Sequence, residues 1–424
     1  MGTARGSAVG QPDVLIVGGG ALGLCCAYYA RERGLNVCVV EQGELGRGAS
    51  WGNAGLLPVS ATVPLAGSGV IRKSLGLLLE RDGAFRIQPR ASPSLARWLL
   101  EFRRQCTSAR AAEVNSLLVP MMRQSVGLLE GLLAREGINC EFSRTGTLTV
   151  CAREAELAEL AKTDALLSAA GVECRRIGQA EALEIEPTLR STILGGTHYP
   201  EDAHLDPGRL VAGIAERLRA PGAEIRTGIS VERLVVERGR VVGAETSAGV
   251  LRANVIVVAA GIRSPSLVRP LGIELLIEPA KGYHLEFADL PRPRLPLRLF
   301  GAKTIVTPLN RAVRMTSKLE LTPRAGISRR RILKGIPKLV SEYLDIPEAA
   351  PLSGSWFGFR PMTPDGLPYI GRADGIDNLV LATGHGQLGV ALAPVTGLLV
   401  AEILSGEASS LPLEAFSVAN RYSN

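Results

Sequence analysis

An α/β fold, with an α+β sheet-and-helix domain interwoven into it, is what this 424-residue sequence predicts. Three observations predict it. A strand, a glycine turn, a helix and a second strand follow one another from Asp13 to Glu41; strand-like and helix-like patterns then alternate along the chain; and glycine motifs of the nucleotide-binding type recur in the middle and at the far end. The chain is long for one domain and its 46% hydrophobic residues supply a sizeable core, so two domains are expected.

The first unit is the most specific. Val14 to Val17 form an apolar, β-branched run, and Gly18, Gly20 and Gly23 supply the G-x-G-x-x-G spacing at a strand-to-helix turn. Gly18 lets the chain turn tightly, Gly20 lets the backbone approach a pyrophosphate, and Gly23 lets the helix pack closely on the strand. The phosphates are expected on the N–H groups of the helix beginning near Ala21. Val37 to Val40 form a second buried strand, with Glu41 at its carboxyl end. A carboxylate there accepts bonds from ribose hydroxyls and repels a 2′-phosphate, which favours FAD or NAD over NADP in a Rossmann-like domain.

After Glu41, GELGRGASWGNAGLLP reads as a glycine-rich loop running back over the cofactor. From Ser94 the pattern is helical, with Leu95, Trp98, Leu99 and Phe102 on one face, and further helix follows through Glu136. A strand at Gly146–Cys151, a helix at Glu154–Ala170 and a helix starting near Pro207 come next. GAEIRTGISVERLVVERGRVVGAET reads as two strand-like runs joined by a glycine turn, and Asn254–Ala259 as a buried strand ending at Ala260 and Gly261. Proline-rich, mixed-polar sequence from Leu276 to Pro351 suggests a second sheet. A strand at Leu379–Leu381 and a final helix opening after Gly389 complete the chain. The expected partition is a discontinuous nucleotide-binding domain (12–93, 200–275, 355–424), a substrate domain (94–199, 276–354) and a flexible leader (1–11).

Composition narrows the function. Aromatic residues are 4% of the chain, which argues against a single-strand nucleic-acid platform, and no nucleic-acid partner is expected. The net charge of +7 is spread among interleaved acids; its densest cluster, Arg329, Arg330, Arg331, Lys334 and Lys338, reads as a solvated helix face, with an anionic membrane surface or acidic partner as the rival. Seven cysteines without C-x-x-C or zinc spacing read as thiols in a reducing, cytoplasmic compartment, and peripheral contact with the inner face of a membrane is the alternative. The most apolar run, Leu388–Ala401, is broken by Pro394 and Gly397 and is shorter than the ~20 residues that span a bilayer. His198, His204 and His284 show no ligand spacing, so no metal is expected.

Six motifs in order, GGGALG with Glu41, GASWGNAG, GISVERL, VVAAG, FRPMTPDGLPYIG and ATGHGQLGVALAPVTG, give the chain a resemblance to a known family. Over nearly its whole length it resembles the FAD-dependent oxidases and dehydrogenases of the D-amino acid oxidase superfamily, most of all the bacterial D-amino acid dehydrogenase and glycine oxidase branches. The resemblance implies non-covalent FAD held by Ala21, Leu22, Glu41 and Gln42, with Ala49 and Ser50 near the phosphates. Asn53, Ala54, Gly55 and Leu56 would line the flavin, Val231 would clamp the adenine through its backbone, and Gly261 would close the adjoining strand end. His385, Gly386, Gln387, Leu388, Gly389, Val390 and Ala391 would bring N–H groups and a helix dipole against the flavin's pyrimidine edge.

The same resemblance implies that Arg360 binds the substrate carboxylate, since a guanidinium pairs bidentately with a carboxylate; the competing reading is a salt bridge to Asp365, itself taken as a turn-shaping residue. Tyr283 is a second candidate contact, with a buried core tyrosine as its rival, and Gln387 a third. His385 is read as a loop residue rather than a base, because hydride transfer from the α-carbon to flavin N5 needs a neutral amine and alignment. Val390 stands where many relatives carry an aromatic, which suits a cyclic substrate such as D-proline or hydroxy-D-proline. The implied product is an imino acid, then a 2-oxo acid plus ammonia or a pyrroline, with a quinone, dye-type carrier or oxygen as acceptor. Alternatives are a glycine or sarcosine oxidase using oxygen, an NAD-linked dehydrogenase, and a flavin-binding subunit of a heteromeric amine dehydrogenase complex.

Overall fold

The computed structural model describes residues 11–61, 85–88, 90–219, 222–325, 329–347, 350–419 and 421–422. The expected leader falls outside them but for Gln11, as do the side chains of 326–334 in the basic cluster. The first strand, Val14–Val17, is buried along its length and lies at the centre of a six-stranded sheet. It pairs in parallel with Val37–Glu41 on one side and Val255–Val258 on the other; Ala223–Thr227 and Ile376–Thr383 extend the parallel array, and Tyr369–Ala373 closes one edge antiparallel. β-branched runs buried on both faces are what a parallel sheet under helices requires.

One face is covered by the helices Ala21–Arg31, Ser108–Glu136 and Ala393–Ser405, whose apolar residues join one core cluster. Ser108–Glu136 is long and apolar enough to cross a membrane by length and composition, but it places Val114, Leu118, Met121, Met122, Val126 and Leu129 in this core. The opposite face packs on a three-stranded antiparallel meander of Val231–Glu237, Arg240–Thr246 and Gly249–Arg252. The expected pair of runs in 222–246 is therefore three strands in two sheets. Gly228, at φ +72°, ends the first run, which joins the parallel sheet, before the meander begins.

The other sheet has nine described strands, drawn from 85–87, 147–199 and 278–362. Its edge strand Leu352–Met362 pairs with Glu278–Phe287 along nearly its full length. The expected boundary at 355 thus cuts a single strand, and Phe85–Ile87, assigned to the nucleotide domain, pairs with Leu319–Leu321 here. The 94–199 segment is likewise split, because Ser108–Glu136 packs on the parallel-sheet core rather than on this one. The last helix begins at Ala393, not after Gly389: Pro394 lacks an N–H and fits only the first turn, so residues 386–392 remain a chain of turns.

Candidate functional site

Two cavities meet where the parallel sheet faces the nine-stranded one. The larger, about 500 Å³, follows the carboxyl ends of the parallel strands; the smaller, about 150 Å³, lies beyond it, and Asn53, Arg360, His385 and Gly386 border both. Ligands of open α/β sheets bind at this end of the strands.

The larger cleft starts at the glycine turn. Gly18 has φ +118°, and a Cβ on Gly23 would lie 1.9 Å from Gly18 O, so the tight turn and the close helix packing both need glycine. Glu41 accepts from Gly19 N–H at 2.8 Å through one oxygen and from Gly43 N–H at 3.0 Å through the other. A carboxylate has about four lone-pair directions, so acceptors remain for ribose hydroxyls. Arg263 donates to Gln42 Oε1 at 2.5 Å, to Ser230 Oγ at 3.0 Å and to Val231 O at 3.1 Å, bracing that wall. Ser50 Oγ accepts from Ala21 N–H at 3.0 Å, drawing the glycine-rich loop over the helix start.

Asn53 ties the two loops at the junction. Its Nδ2 donates to Gln387 O at 3.1 Å and its Oδ1 accepts from Gly55 N–H at 2.8 Å. Arg314, buried and paired with Glu286 at 2.7 Å, donates to Asn53 O at 2.8 Å, so the second sheet fixes the loop from above. On the far side Gly386 N–H donates to Pro361 O at 3.0 Å. The first-turn donors of Ala393–Ser405 do not face the cleft: Pro394 has none, Val395 N–H reaches Ser125 Oγ at 3.4 Å, and Thr396 N–H reaches Leu392 O at 3.0 Å. Gly389 and Val390 line the cleft, and their N–H groups have no partner among the described residues. The expectation that the helix itself presents its first-turn donors to the cleft is therefore not met, and the segment that lines it is the turn before the helix.

Arg360 is 8% exposed and borders both cavities. Among the described residues no hydrogen bond or ion pair engages its guanidinium, and burial alone lowers its pKa to about 10, which leaves it charged at neutral pH. Asp365, the rival partner, is taken by Arg421 through bonds of 2.7 and 2.9 Å and by Arg110 at 3.6 Å. An uncompensated buried cation costs several kcal/mol unless an anion joins it. His385, fully buried, has its pKa pushed down to about 3 by desolvation and then by the charge of Arg421; its Nε2 shares a 2.9 Å hydrogen bond with Thr396 Oγ1. It is neutral and held as a wall residue.

Of the residues expected here, Gly18, Gly20, Leu22, Glu41, Gln42, Ala49, Ser50, Asn53, Val231, Gly261, His385, Gly386, Gly389 and Val390 line the larger cleft. Ala54, Leu56, Gln387 and Leu388 line the smaller. Ala21, Gly23, Gly55 and Ala391 line neither and act behind the wall; Ala391 O, for example, accepts from Ser125 Oγ at 2.6 Å. Tyr283 is a correction. It is 3% exposed in the second sheet's core, and its hydroxyl donates to Glu320 at 2.7 Å. Side chains alternate along a strand, so Gly282 and His284 face the cleft side and Tyr283 the other. Sequence reasoning missed Gly282, over which Arg360 lies, and Trp356, which lines the cleft and stacks on His284 at 5.6 Å. It also missed Arg298, Thr316 and Thr363 in the smaller cavity.

This geometry fits an extended dinucleotide with a redox ring at the junction. The family described as FAD dependent oxidoreductase, DAO, matches residues 13–403. A D-amino acid dehydrogenase of Bradyrhizobium diazoefficiens is 33% identical over 421 residues, covering 97% of this chain and 99% of that protein. One of Chromohalobacter salexigens is 33% identical over 407 residues, covering 93% and 96%. Among solved structures, glycine oxidase from Geobacillus kaustophilus superposes with a TM-score of 0.78 at 24% identity, covering 97% of this chain and 100% of that one.

Proposed function

Because the chain belongs to the DAO family of FAD dependent oxidoreductases, and is an FAD-dependent enzyme that oxidatively dehydrogenates amino acids, we propose that its substrate is a small D-amino acid docked by its carboxylate on Arg360. The observation that carries this is the buried, unpartnered guanidinium where the two cavities join. A bidentate pair there would fix one end of the substrate and offer the α-carbon to the junction. Flavin bound in the larger cleft supplies the acceptor for the hydride leaving that carbon.

The chain's own residues position and shield. Asn53 and Arg314 hold one loop and Gly386 the other, while the unpartnered N–H groups of Gly389 and Val390 supply donors for a ring edge that gains negative charge. No carboxylate is among the described residues lining the smaller cavity, and His385 is neutral, so the amine must arrive without its extra proton. An open-chain imino acid product would hydrolyse to a 2-oxo acid and ammonia, and a cyclic one would persist as a pyrroline. The small volume of about 150 Å³ supports a compact substrate such as D-proline or hydroxy-D-proline; Val390, expected to shape this pocket, lines the larger cleft instead. The D preference and an acceptor other than oxygen are supported by relatives at one-third identity. None of the seven cysteines lines either cavity, which supports non-covalent FAD; all seven are unpaired, which supports a reducing, cytoplasmic compartment.

The test is Arg360→Leu. FAD content should be retained while KM rises steeply, by two orders of magnitude or so if a charged bidentate pair of ~3 kcal/mol is lost. An unchanged KM would remove Arg360 from the site.

A further inference from the structure

The glycine-rich loop that runs back over the larger cleft carries two residues still without a role, Arg47 and Trp51. The loop is fixed to the glycine turn right beside Arg47: Gly46 N–H donates to Gly19 O at 3.0 Å, and Trp51 N–H closes the loop on Gly46 O at 2.8 Å. Gly46 has φ +69°, and a Cβ there would lie 2.6 Å from Val211 Cγ1, so the loop is seated against the helix Pro207–Arg217. The Trp51 indole packs on the same helix, 2.7 Å from where a Cβ of Gly208 would stand. The Arg47 guanidinium lies over that indole, 3.9 Å from the ring centre, in a cation–π contact.

This platform fixes the guanidinium and leaves half of it free. Nε donates to Glu44 at 3.0 Å, and neither terminal nitrogen makes a hydrogen bond among the described residues. The side chain is 52% exposed, and Arg47 lines the larger cleft with Gly20, Gly48, Ala49 and Ser50, so a ligand there can reach it. An exposed ion pair with Glu44 contributes little by itself and does not call for a tryptophan underneath. The charges around the glycine turn supply a reason. Glu41 and Glu44 both border the cleft, and the helix start at Ala21 offsets them by only about half a positive charge. Arg263, in the adjoining wall, spends its guanidinium on Gln42, Ser230 and Val231 O. A diphosphate brings two negative charges to this place, and Arg47 is the cation left to meet them.

We propose that Arg47, held flat on Trp51, is a clamp for the diphosphate of the bound dinucleotide, meeting it from the loop while the helix Ala21–Arg31 meets it from the turn. This rests on the FAD-binding cleft described above and not on the identity of the substrate. The two terminal N–H groups of a guanidinium match two phosphate oxygens in one plane, a fit that a lysine ammonium lacks.

The test reads cofactor binding rather than turnover. The FAD-loaded full chain is diluted and flavin release is followed as the rise of free-flavin fluorescence, and the flavin-stripped chain is titrated calorimetrically with ADP and with adenosine. Arg47→Leu should weaken FAD and ADP by about tenfold each, as the loss of one charge-assisted contact requires, and leave adenosine within about twofold. Arg47→Lys should recover only part of that loss. The lost contact is between charges, so raising salt from about 0.05 to about 0.5 M should weaken ADP binding more steeply in the wild type than in Arg47→Leu. An Arg47→Leu protein that keeps FAD and ADP within about twofold of wild type overturns the clamp and leaves the FAD-binding cleft standing. An equal loss of adenosine also overturns it, since the whole loop would then have shifted. If the wild type takes up neither FAD nor ADP, the cleft and its clamp fall together.

Discussion

Gly282 is where one methyl group should separate binding from folding. A Cβ placed there would lie 1.6 Å from Arg360 Nη1, 2.3 Å from Cζ and 2.6 Å from Nη2. Ordinary contact begins near 3.4 Å, so Nη1 must retreat by about 3.4 − 1.6 = 1.8 Å and the whole fork must turn. Hydrogen bonds to a carboxylate tolerate only a few tenths of an ångström, from ~2.7 to ~3.2 Å, so a bidentate pair cannot survive that shift. Losing it partly or wholly costs about 2–4 kcal/mol, or roughly 30- to 1000-fold in kcat/KM, from charged hydrogen bonds of ~1.5–3 kcal/mol each. Gly282 pairs with Gly358 and Leu319, just before a register shift against the latter strand, and its φ lies outside the left-handed region, so the backbone itself does not require glycine there. Gly282→Ala is therefore expected to keep its melting temperature and its flavin absorbance while KM for the amino acid rises. Steady-state kinetics alongside the 450 nm band would decide it, and a variant with full FAD content and KM within about twofold of wild type would refute the geometry.

Three further outcomes are expected. Gly23→Val drives a side chain into Gly18 O, only 1.9 Å from a Cβ, and should yield a protein that purifies without visible flavin absorbance. Arg421→Ala leaves Asp365 buried and short of its bidentate partner; a loss of ~3–5 kcal/mol in chemical denaturation is expected, with KM also rising because the turn from Thr363 to Leu367 borders the smaller cavity. His204, His284 and His385 have pKa values pushed down by burial to about 4, 3 and 3, so the unfolded chain binds more protons than the folded one below the ordinary value of 6.5. Stability is then fully present above pH 6.5 and is lost as pH falls toward these values, by up to ~1.4 kcal/mol per pH unit for each histidine. Melting curves from pH 6.5 to 5, above most carboxylate titrations, should fall accordingly, and a flat profile would contradict it.

The parts of the site that could be read from sequence are those whose signal is local. The strand, glycine turn, helix and acid from Asp13 to Glu41 form a unit whose geometry depends on neighbours within the same 29 residues, and it folds as the spacing predicts. The nine-stranded sheet has no such signal, since its register is set by pairings between distant segments such as Leu297–Leu299 with Thr147–Cys151. The choice of Tyr283 fails for a related reason. Glu278–Phe287 is buried on both faces, so no alternation of apolar and polar residues marks which parity faces the cleft. The strand was identifiable, but its phase was fixed only by tertiary pairing.

That phase also explains why a lone cation can be kept so deep. Arg360 lies across Gly282 because the facing strand offers no side chain there, and two acids of the bordering segments are committed elsewhere: Asp365 to Arg421, and Glu286 to Arg314. Both pairs hold the chain that borders the site, one under the turn at Thr363–Leu367 and one over the loop at Asn53. Among the described residues both acids are held by other arginines, and Arg360 is left as a buried cation that a substrate carboxylate can complete. Arg360→Leu should therefore show two effects of opposite sign, a more stable protein without ligand and a large loss of substrate affinity. A purely structural arginine would lose stability on the same substitution, so the sign of the stability change separates the two roles without any assay of turnover.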